Sequence, residues 1–293
     1  MALTVLALFI TIGENFGLIN WHTVYKSVGI AEPTDEYENY DMSAHFIDVG
    51  KADSIYVNCK DKNILIDGGE KDTYNTVLEY LKKRGIKNLD LVIATHPHSD
   101  HIGGLVEVLN EFKVSKVLMP KLRNDIVPTS KVYENFLLAI DKNNIPVEIP
   151  IPGNTFYVGN LKMEIFAPNK PYESINNNSI VAKLIYKNIS FLFTGDAEKE
   201  SEQDILKKNF DIKSTVLKVG HHGSKTSTSN AFLKKVNPEY AVICVGEDKY
   251  NLPKKETINK LKNCGAKIYR TDLNGTVVLA TNGEEIKVIA SRG

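Results

Sequence analysis

The sequence predicts an α/β (α+β) protein built as a four-layer αββα sandwich, two β-sheets packed face to face with helices on their outer faces. Three observations carry this. Short strand-like runs cluster in both halves of the 293-residue chain, helix-like segments separate them, and two histidine clusters sit at the ends of apolar strands in opposite halves. Strand ends from both halves would then meet at one edge of the sandwich, between the sheets. Hydrophobic residues make up 42% and charged residues 25%, the composition of an ordinary globular protein able to bury a large core.

Taken in order, runs at 44–49, 54–59, 63–67 and 89–95 read as strands that end in Gly, Asp or His turn signals. A helix is predicted over 73–84, where Val77, Leu78 and Leu81 fall at helical spacing and Gly85 follows as a stop signal. A second helix follows the first histidine cluster, with Ile102, Leu105, Leu109 and Phe112 on one face. The second half repeats the style, with strands at 161–167, 179–186, 189–194, 215–219 and 240–245. Helical segments near 197–208, 230–236 and 254–263 separate them, and strands return at 267–271, 276–280 and 285–290.

Lys+Arg and Asp+Glu balance at 36 each, so no global positive field recruits nucleic acid or an anionic membrane. A polyanion would have to be held by a local patch or by metal. Cys59, Cys244 and Cys264 are odd in number and lack Cys-x-x-Cys spacing, which reads as buried free thiols rather than a disulfide framework. Residues 1–40 form a separate segment: 2–12 are nearly all apolar, and 31–40 are acidic with Pro33, the composition of a linker. The expectation is a membrane anchor or uncleaved signal, hence an extracytoplasmic or secreted protein; the alternative is a helix packed on a cytoplasmic domain. The globular domain is then expected over 41–293.

The chemistry concentrates in Leu91-Val-Ile-Ala-Thr-His96-Pro-His98-Ser-Asp100-His101-Ile-Gly-Gly104. An apolar strand delivers four candidate ligands, and two glycines let a helix start without bulk beside them. Imidazole and carboxylate together suit Zn²⁺, with Mn²⁺ or Fe as alternatives. His96 and His98 can reach one ion, while Asp100 and His101, a turn further on, face a second. Asp196 ends another apolar strand, and a carboxylate can bridge two cations about 3.5–4 Å apart. A third strand ends in the paired imidazoles His221 and His222.

His96-Pro-His98-Ser-Asp100-His101 resembles the His-x-His-x-Asp-His signature of the metallo-β-lactamase superfamily. The segments around Asp53, Asp67, Asn178, Asp196, Lys218-Val-Gly-His221-His222-Gly-Ser and Arg270 resemble, in order, the hydrolase domain of ComEC-type DNA-uptake proteins and their free-standing relatives. The resemblance covers roughly residues 43 to 290. The long transmembrane channel of those proteins has no counterpart in these residues, so a part in DNA translocation is not expected. The resemblance implies two divalent ions: metal 1 on His96 and His98, metal 2 on Asp100 and His101, Asp196 bridging, and His222 completing metal 2. His221 is then a candidate for substrate contact or proton transfer to the leaving group; the reverse assignment of the two histidines is the alternative. Where many members carry a third metal-1 histidine this chain has Asn178, either a weak, hard ligand that would favour Mn²⁺ or a plain turn cap.

Asp67, before two glycines, reads as the carboxylate that orients a ligand imidazole by accepting its other N–H, or as a simple Asp-Gly turn. Asp48 and Asp53 either line the pocket floor or cap strand ends. Ser224, Lys225 and Thr226 could cradle a phosphate or form a solvated loop, and His22 and His45 read as packing residues. The expected reaction is hydrolysis by hydroxide formed on the paired ions, with Asp100 and His221 the catalytic residues besides their neighbours. No Gly-x-Ser-x-Gly elbow is present for a covalent route. The expected substrate is a phosphodiester, in DNA, RNA or a cell-surface phosphoester such as phosphocholine on teichoic acid. The rivals are a thioester, lactone or amide at the same metals, and a catalytically weak metal-binding module. No obligate protein partner is implied.

Overall fold

Alternation along the first strands sends every second side chain to the centre of the molecule, as the two-residue period of a pleated strand requires. In the computed structural model, which describes residues 40–247 and 249–292, Met42, Ala44, Phe46, Ile55, Val57, Ile64 and Ile66 share one buried cluster. Leu161, Met163, Ile165, Phe191 and Phe193 from the second half of the chain join that same cluster, which is therefore the layer between two sheets. The opposite faces pack elsewhere. Tyr56, Leu65 and Val92 meet helical residues such as Val77, Leu105 and Phe136, while Leu192, Leu217 and Ala241 meet Ile205, Phe232 and Leu261. Two sheets with a helical layer outside each make the αββα sandwich that the sequence predicts.

The strands are β1 Met42–Phe46, β2 Ile55–Cys59, β3 Lys62–Ile66, β4 Asn88–Leu89, β5 Leu91–Ile93, β6 Lys113–Val114, β7 Val117–Leu118, β8 Val147–Glu148 and β9 Thr155–Val158. There follow β10 Leu161–Ala167, β11 Val181–Tyr186, β12 Ile189–Phe193, β13 Val216–Lys218, β14 Tyr240–Ile243, β15 Lys267–Arg270, β16 Val277–Thr281 and β17 Ile286–Ala290. The first sheet has the order β17-β16-β1-β2-β3-β5-β7-β8 and the second β15-β14-β13-β12-β11-β10-β9, with β4 and β6 a separate pair. In each sheet the strands that lead to the site are parallel: β3, β5 and β7 in one, β12, β13 and β14 in the other. Parallel neighbours end on the same side, so their following loops converge, as ligand sites do at the carboxyl ends of parallel strands.

The helices are α1 Tyr74–Lys83, α2 Ser99–Ile102, α3 Leu105–Glu111, α4 Lys131–Lys142, α5 Lys199–Lys207, α6 Asn230–Val236, α7 Lys255–Asn263 and α8 Thr271–Asn274. The single helix expected after the histidines is two, α2 and α3, parted at Gly103 and Gly104. A Cβ at Gly104 would strike the Gly68 carbonyl, so the chain there passes closer to the Asp67 turn than a side chain permits. β7, β8, β9 and α4 were not predicted. The apolar segment expected to be an anchor, and most of the linker after it, lie outside the described residues. Among the described residues no helix is long and apolar enough to cross a membrane.

Candidate metal centre

The first half of the site hangs on β5. After Ile93 the chain carries Thr95 and His96 into the interior, both buried, and α2 opens at Ser99 with Asp100 and His101 in its only turn. Asp67, just past β3, is the clasp of this half. Its Oδ1 accepts the Thr95 N–H at 2.8 Å, and its Oδ2 accepts the Thr95 hydroxyl at 2.7 Å and His101 Nδ1–H at 2.8 Å. A carboxylate can only accept, so this contact puts the His101 proton on Nδ1 and leaves the Nε2 lone pair facing the cleft. Asp67 takes a left-handed φ of 57°, a conformation Asp tolerates better than most residues, in order to make that reach.

The second half comes from β12 and β13. Gly195, at φ 49°, passes so close to Thr95 that a Cβ would sit 3.0 Å from its hydroxyl, and Asp196 follows with its N–H donated to Ser179 Oγ at 3.1 Å. After β13, His221 and His222 adopt φ 49° and 50° in succession. Left-handed backbone costs a non-glycine residue roughly 1–2 kcal/mol, so two in a row mark a place where side-chain direction outweighs backbone comfort. His222 Nδ1 donates to the Cys244 carbonyl at 2.9 Å, which again leaves Nε2 free to ligate. His221 turns its Nδ1 to Thr226 Oγ1 at 3.2 Å and Glu198 Oε1 at 3.4 Å.

The two halves meet around Asp196. Its Oδ1 is 3.5 Å from His101 Nε2, and its Oδ2 is 3.6 Å from His222 Nε2, 3.7 Å from His221 Nε2 and 3.9 Å from His96 Nε2. Asp100 Oδ2 lies 3.4 Å from His222 Nε2 and 3.9 Å from His101 Nε2. These separations are mostly long for hydrogen bonds. They match two donor atoms on one tetrahedral cation, which at Zn–N and Zn–O distances of about 2.0–2.2 Å stand roughly 3.3–3.6 Å apart. The buried atoms His101 Nε2, His222 Nε2 and Asp196 Oδ1 have no hydrogen-bond partner among the described residues. Unpaired polar atoms that converge in a buried cluster call for an ion. Asp100, His101, Asp196 and His222 can each offer one atom within 4.8 Å of the others, so the residues present fit a divalent first-row metal. His96 and His98 stand beside them, with Nε2 of the first 3.0 Å from Nδ1 of the second.

The field agrees. Burial alone would lower every imidazole here, and it does hold His96 and His98 below the usual range. At His101 and His222 burial is outweighed by carboxylates, with Asp196 foremost: His101 rises well above the usual value and His222 is pushed up to about 10. Asp196 and Asp100 are held below the usual carboxylate range, burial being overcome chiefly by His222 and His101 respectively. The cluster demands positive charge, and divalent ions would supply it in place of protons.

Asn178 is brought to a different use from the ligand considered for it. Its Oδ1 accepts the Tyr172 N–H at 3.1 Å and its Nδ2 donates to the Tyr172 and Ser174 carbonyls at 3.1 and 2.8 Å. Both ends of the amide brace a turn, the turn-holding alternative. Asp48 pairs with Arg292 and accepts the Gly50 N–H. Asp53 belongs to the site: its Oδ1 is 3.3 Å from His222 Nδ1, and its Oδ2 is 2.7 Å from Lys218 Nζ. Burial pushes the Asp53 carboxyl up, but Lys218 and then His222 hold it at about 2. Ser224 Oγ and Thr226 Oγ1 bond each other at 3.0 Å, and Lys225 between them is exposed. His45 is a packing residue, bonded to Ser43 and Tyr80; His22 lies outside the described residues. Thr95, Glu198 and Lys218 were not singled out from sequence. Their positions, each within two residues of nothing but a strand end or a candidate ligand, were the available signal.

A family profile described as "Metallo-beta-lactamase superfamily" matches residues 47–247, which contain every residue of the cluster. The "ComE operon protein 3" of Bacillus subtilis (strain 168) is 32% identical over 251 residues, covering 79% of this chain and 32% of that protein. The "Competence protein ComA" of Neisseria gonorrhoeae is 25% identical over 276 residues, covering 92% of this chain and 37% of that protein. The chain thus spans about a third of the length of these two relatives. Among solved structures, the metallo-beta-lactamase fold protein YhfI from Bacillus subtilis aligns with a TM-score of 0.51 at 14% identity, over 78% of this chain and 95% of that one, a likeness of fold.

Proposed function

The chain belongs to the metallo-β-lactamase superfamily, and from that premise we propose that it is a paired-metal phosphodiesterase whose substrate is nucleic acid, DNA or RNA. The observation that carries the proposal is Asp196, whose two oxygens face the imidazoles of both halves at 3.5–3.9 Å. Phosphoryl transfer spreads charge over several oxygens, and a carboxylate placed to bridge two ions suits that better than the single polarised carbonyl of a lactam. His96 and His98 would hold one ion, Asp100, His101 and His222 the other, and Asp196 both. Bound there, zinc or manganese would activate water and neutralise the charge that develops on the phosphate.

The chain's own residues do the rest. Asp67 and the Cys244 carbonyl keep the His101 and His222 protons on Nδ1, away from the ligating nitrogens. His221, half-buried at the mouth, is held by Glu198 and Thr226 and keeps its proton above the usual range: burial opposes this, and the Glu198 contact outweighs it. Its Nε2 is then placed to protonate the departing oxygen. Ser224 supports Thr226, and exposed Lys225 is available to a phosphate oxygen of the incoming strand. Likeness to the "Competence protein ComA", together with the resemblance of the motifs to DNA-uptake proteins, supports nucleic acid over a surface phosphoester.

The test compares turnover, with Mn²⁺ or Zn²⁺ added, on bis-p-nitrophenyl phosphate, single-stranded DNA, p-nitrophenyl phosphorylcholine, a glutathione thioester and nitrocefin. Cleavage of the first two is expected. Rapid thioester or nitrocefin turnover beside inert phosphodiesters overturns the substrate class, and p-nitrophenyl phosphorylcholine turnover without DNA cleavage transfers it to surface phosphoesters.

A further inference from the structure

Lys218 has an uncommon position. It ends β13, in the middle of the second sheet, and alternation puts it on the same face as Val216, which lies in the apolar layer between the sheets. Its side chain is 1% exposed, as is that of Asp53. Their ion pair, 2.7 Å from Nζ to Oδ2, crosses from one sheet to the other, because Asp53 lies in the connection between β1 and β2 of the first sheet. Lys218 Nζ also donates to the Val219 carbonyl at 3.0 Å.

Asp53 is anchored in both halves of the site. Its backbone belongs to the first: its N–H donates to the Asp100 carbonyl at 3.1 Å, and its carbonyl accepts the Gly69 N–H at 2.8 Å. Its carboxylate reaches the second, through Lys218 and through His222 Nδ1 at 3.3 Å, and stands 4.0 Å from His101 Nδ1 of the first. Stability is a poor reason for such a pair, since replacing a buried ion pair by apolar residues of similar volume is often neutral or stabilising. Register between two half-sites is a better one. His222 enters from the second sheet, whereas Asp100 and His101 enter from the first, and an error of about 1 Å in their relative placement would spoil coordination.

We propose that the Asp53–Lys218 pair is a positioning strut that sets His222 against Asp100 and His101, so that the ion on Asp100, His101 and His222 depends on it and the ion on His96 and His98 does not. This rests on the paired-metal reading above. Two variants test it: Asp53→Leu combined with Lys218→Met, which removes both charges at similar volume, and Asp53→Asn combined with Lys218→Gln, which removes both charges and keeps the pair polar. Lys183→Met is the control, because Lys183 is a buried lysine that pairs with Asp211 and Glu164 away from the cluster. Zn²⁺ is titrated against a chromophoric chelator, metal content is measured after dialysis, and Co²⁺-loaded protein is followed by its visible bands. The wild-type chain should bind two ions in separable steps. The apolar double variant should melt close to wild type, lose roughly 10–100-fold in affinity at one step only, as loss of an orienting partner does, and change the Co²⁺ bands of that step.

Binding at both steps equal to wild type overturns the strut. So does parallel weakening of both in proportion to a lowered melting temperature, as a general loss of stability in the control would give. Should the apolar double variant not fold, Asp53→Asn combined with Lys218→Gln, which removes both charges but keeps two polar side chains that can bond each other, must show the same one-step loss. A wild-type chain that binds no Zn²⁺ instead overturns the paired-metal reading, and the strut with it.

Discussion

Replacing Asp67 by asparagine separates the placement of one proton from everything else at the site. Asparagine tolerates the left-handed backbone at this position as well as aspartate does, and its volume is the same, so fold and packing are preserved. The amide oxygen can still accept the Thr95 N–H, which leaves the NH₂ where Oδ2 stood, facing the Thr95 hydroxyl and His101 Nδ1 at 2.7 and 2.8 Å in the wild type. The hydroxyl can turn to accept. The imidazole cannot accept at Nδ1 unless its proton moves to Nε2, the nitrogen that faces Asp196 at 3.5 Å and Asp100 at 3.9 Å. That is the wrong tautomer for ligation. Loss of a charged, buried hydrogen bond should cost about 2 kcal/mol of stability, a fall of roughly 4–8 °C in melting temperature for a domain of this size. Affinity for the ion on His101 should fall about 10–100-fold, well beyond what the stability loss explains. Calorimetric melting of metal-free protein and Zn²⁺ competition titration read the two effects separately. Unchanged Zn²⁺ affinity in a folded Asp67→Asn protein would refute the tautomer argument.

Other perturbations follow from the same geometry. Asp196→Ala should lose both ions and all turnover while still melting cooperatively; retention of two ions by mass spectrometry would remove Asp196 from the bridge. Gly104→Ala should cost about 3 kcal/mol, because the new methyl group meets the Gly68 carbonyl rather than a yielding side chain, and a melting temperature within a degree of wild type contradicts it. Cys59 and Cys244 are buried, and burial pushes the Cys59 thiol up to about 11 and Cys244 well above its ordinary value. A thiol reagent should therefore label Cys264 alone in the folded protein and all three on unfolding.

Much of the fold was legible because its strands alternate cleanly and its first ligand cluster is local. His96, His98, Asp100 and His101 all follow one strand, so spacing alone exposed them, and β10 with Leu161, Met163 and Ile165 inward is the same kind of signal. The stretch from 113 to 160 was unread for two reasons. β7 and β8 have two residues each, too few for any period. α4 did carry a signal, with Ser130 capping Tyr133 N–H and Tyr133, Phe136, Ala139 and Ile140 buried at helical spacing, but Leu137 and Leu138 on the exposed face blur it. Asn178 drew attention by its distance from Asp196, and distance along a chain says nothing of where an amide points. Lys218 and Asp53 were illegible as a pair. Alternation would put a strand lysine outward unless a partner waits inside, and that partner comes from the other sheet.

The two ion sites differ in how well they are prepared, which predicts the order in which they fill. At His101 and His222 each Nδ1 is engaged by a fixed acceptor, Asp67 in one case and the Cys244 carbonyl in the other, so both Nε2 atoms face Asp100 and Asp196, whose negative charge an arriving ion can meet in place of a proton. His96 Nδ1 has the Thr95 hydroxyl at 3.2 Å, but His98 is not prepared in this way. The facing nitrogens of His96 and His98 are 3.0 Å apart and share a hydrogen bond. Among the described residues the carboxylate paired with them is Asp196, 3.9 Å from His96 Nε2, whereas Asp100 and Asp196 both face His101 and His222, so less negative charge draws an ion to His96 and His98. Asn178 spends both ends of its amide on the Tyr172–Ser174 turn. The first equivalent of Zn²⁺ or Co²⁺ should therefore enter between Asp100, His101, Asp196 and His222, and only the second should reach His96 and His98. His98→Ala discriminates: it should bind the first equivalent with wild-type affinity, lose the second, and lose turnover because the reaction needs both. If His98→Ala instead loses the first equivalent and keeps the second, the filling order is reversed and the hydrogen bonds behind His101 and His222 do not govern metal affinity.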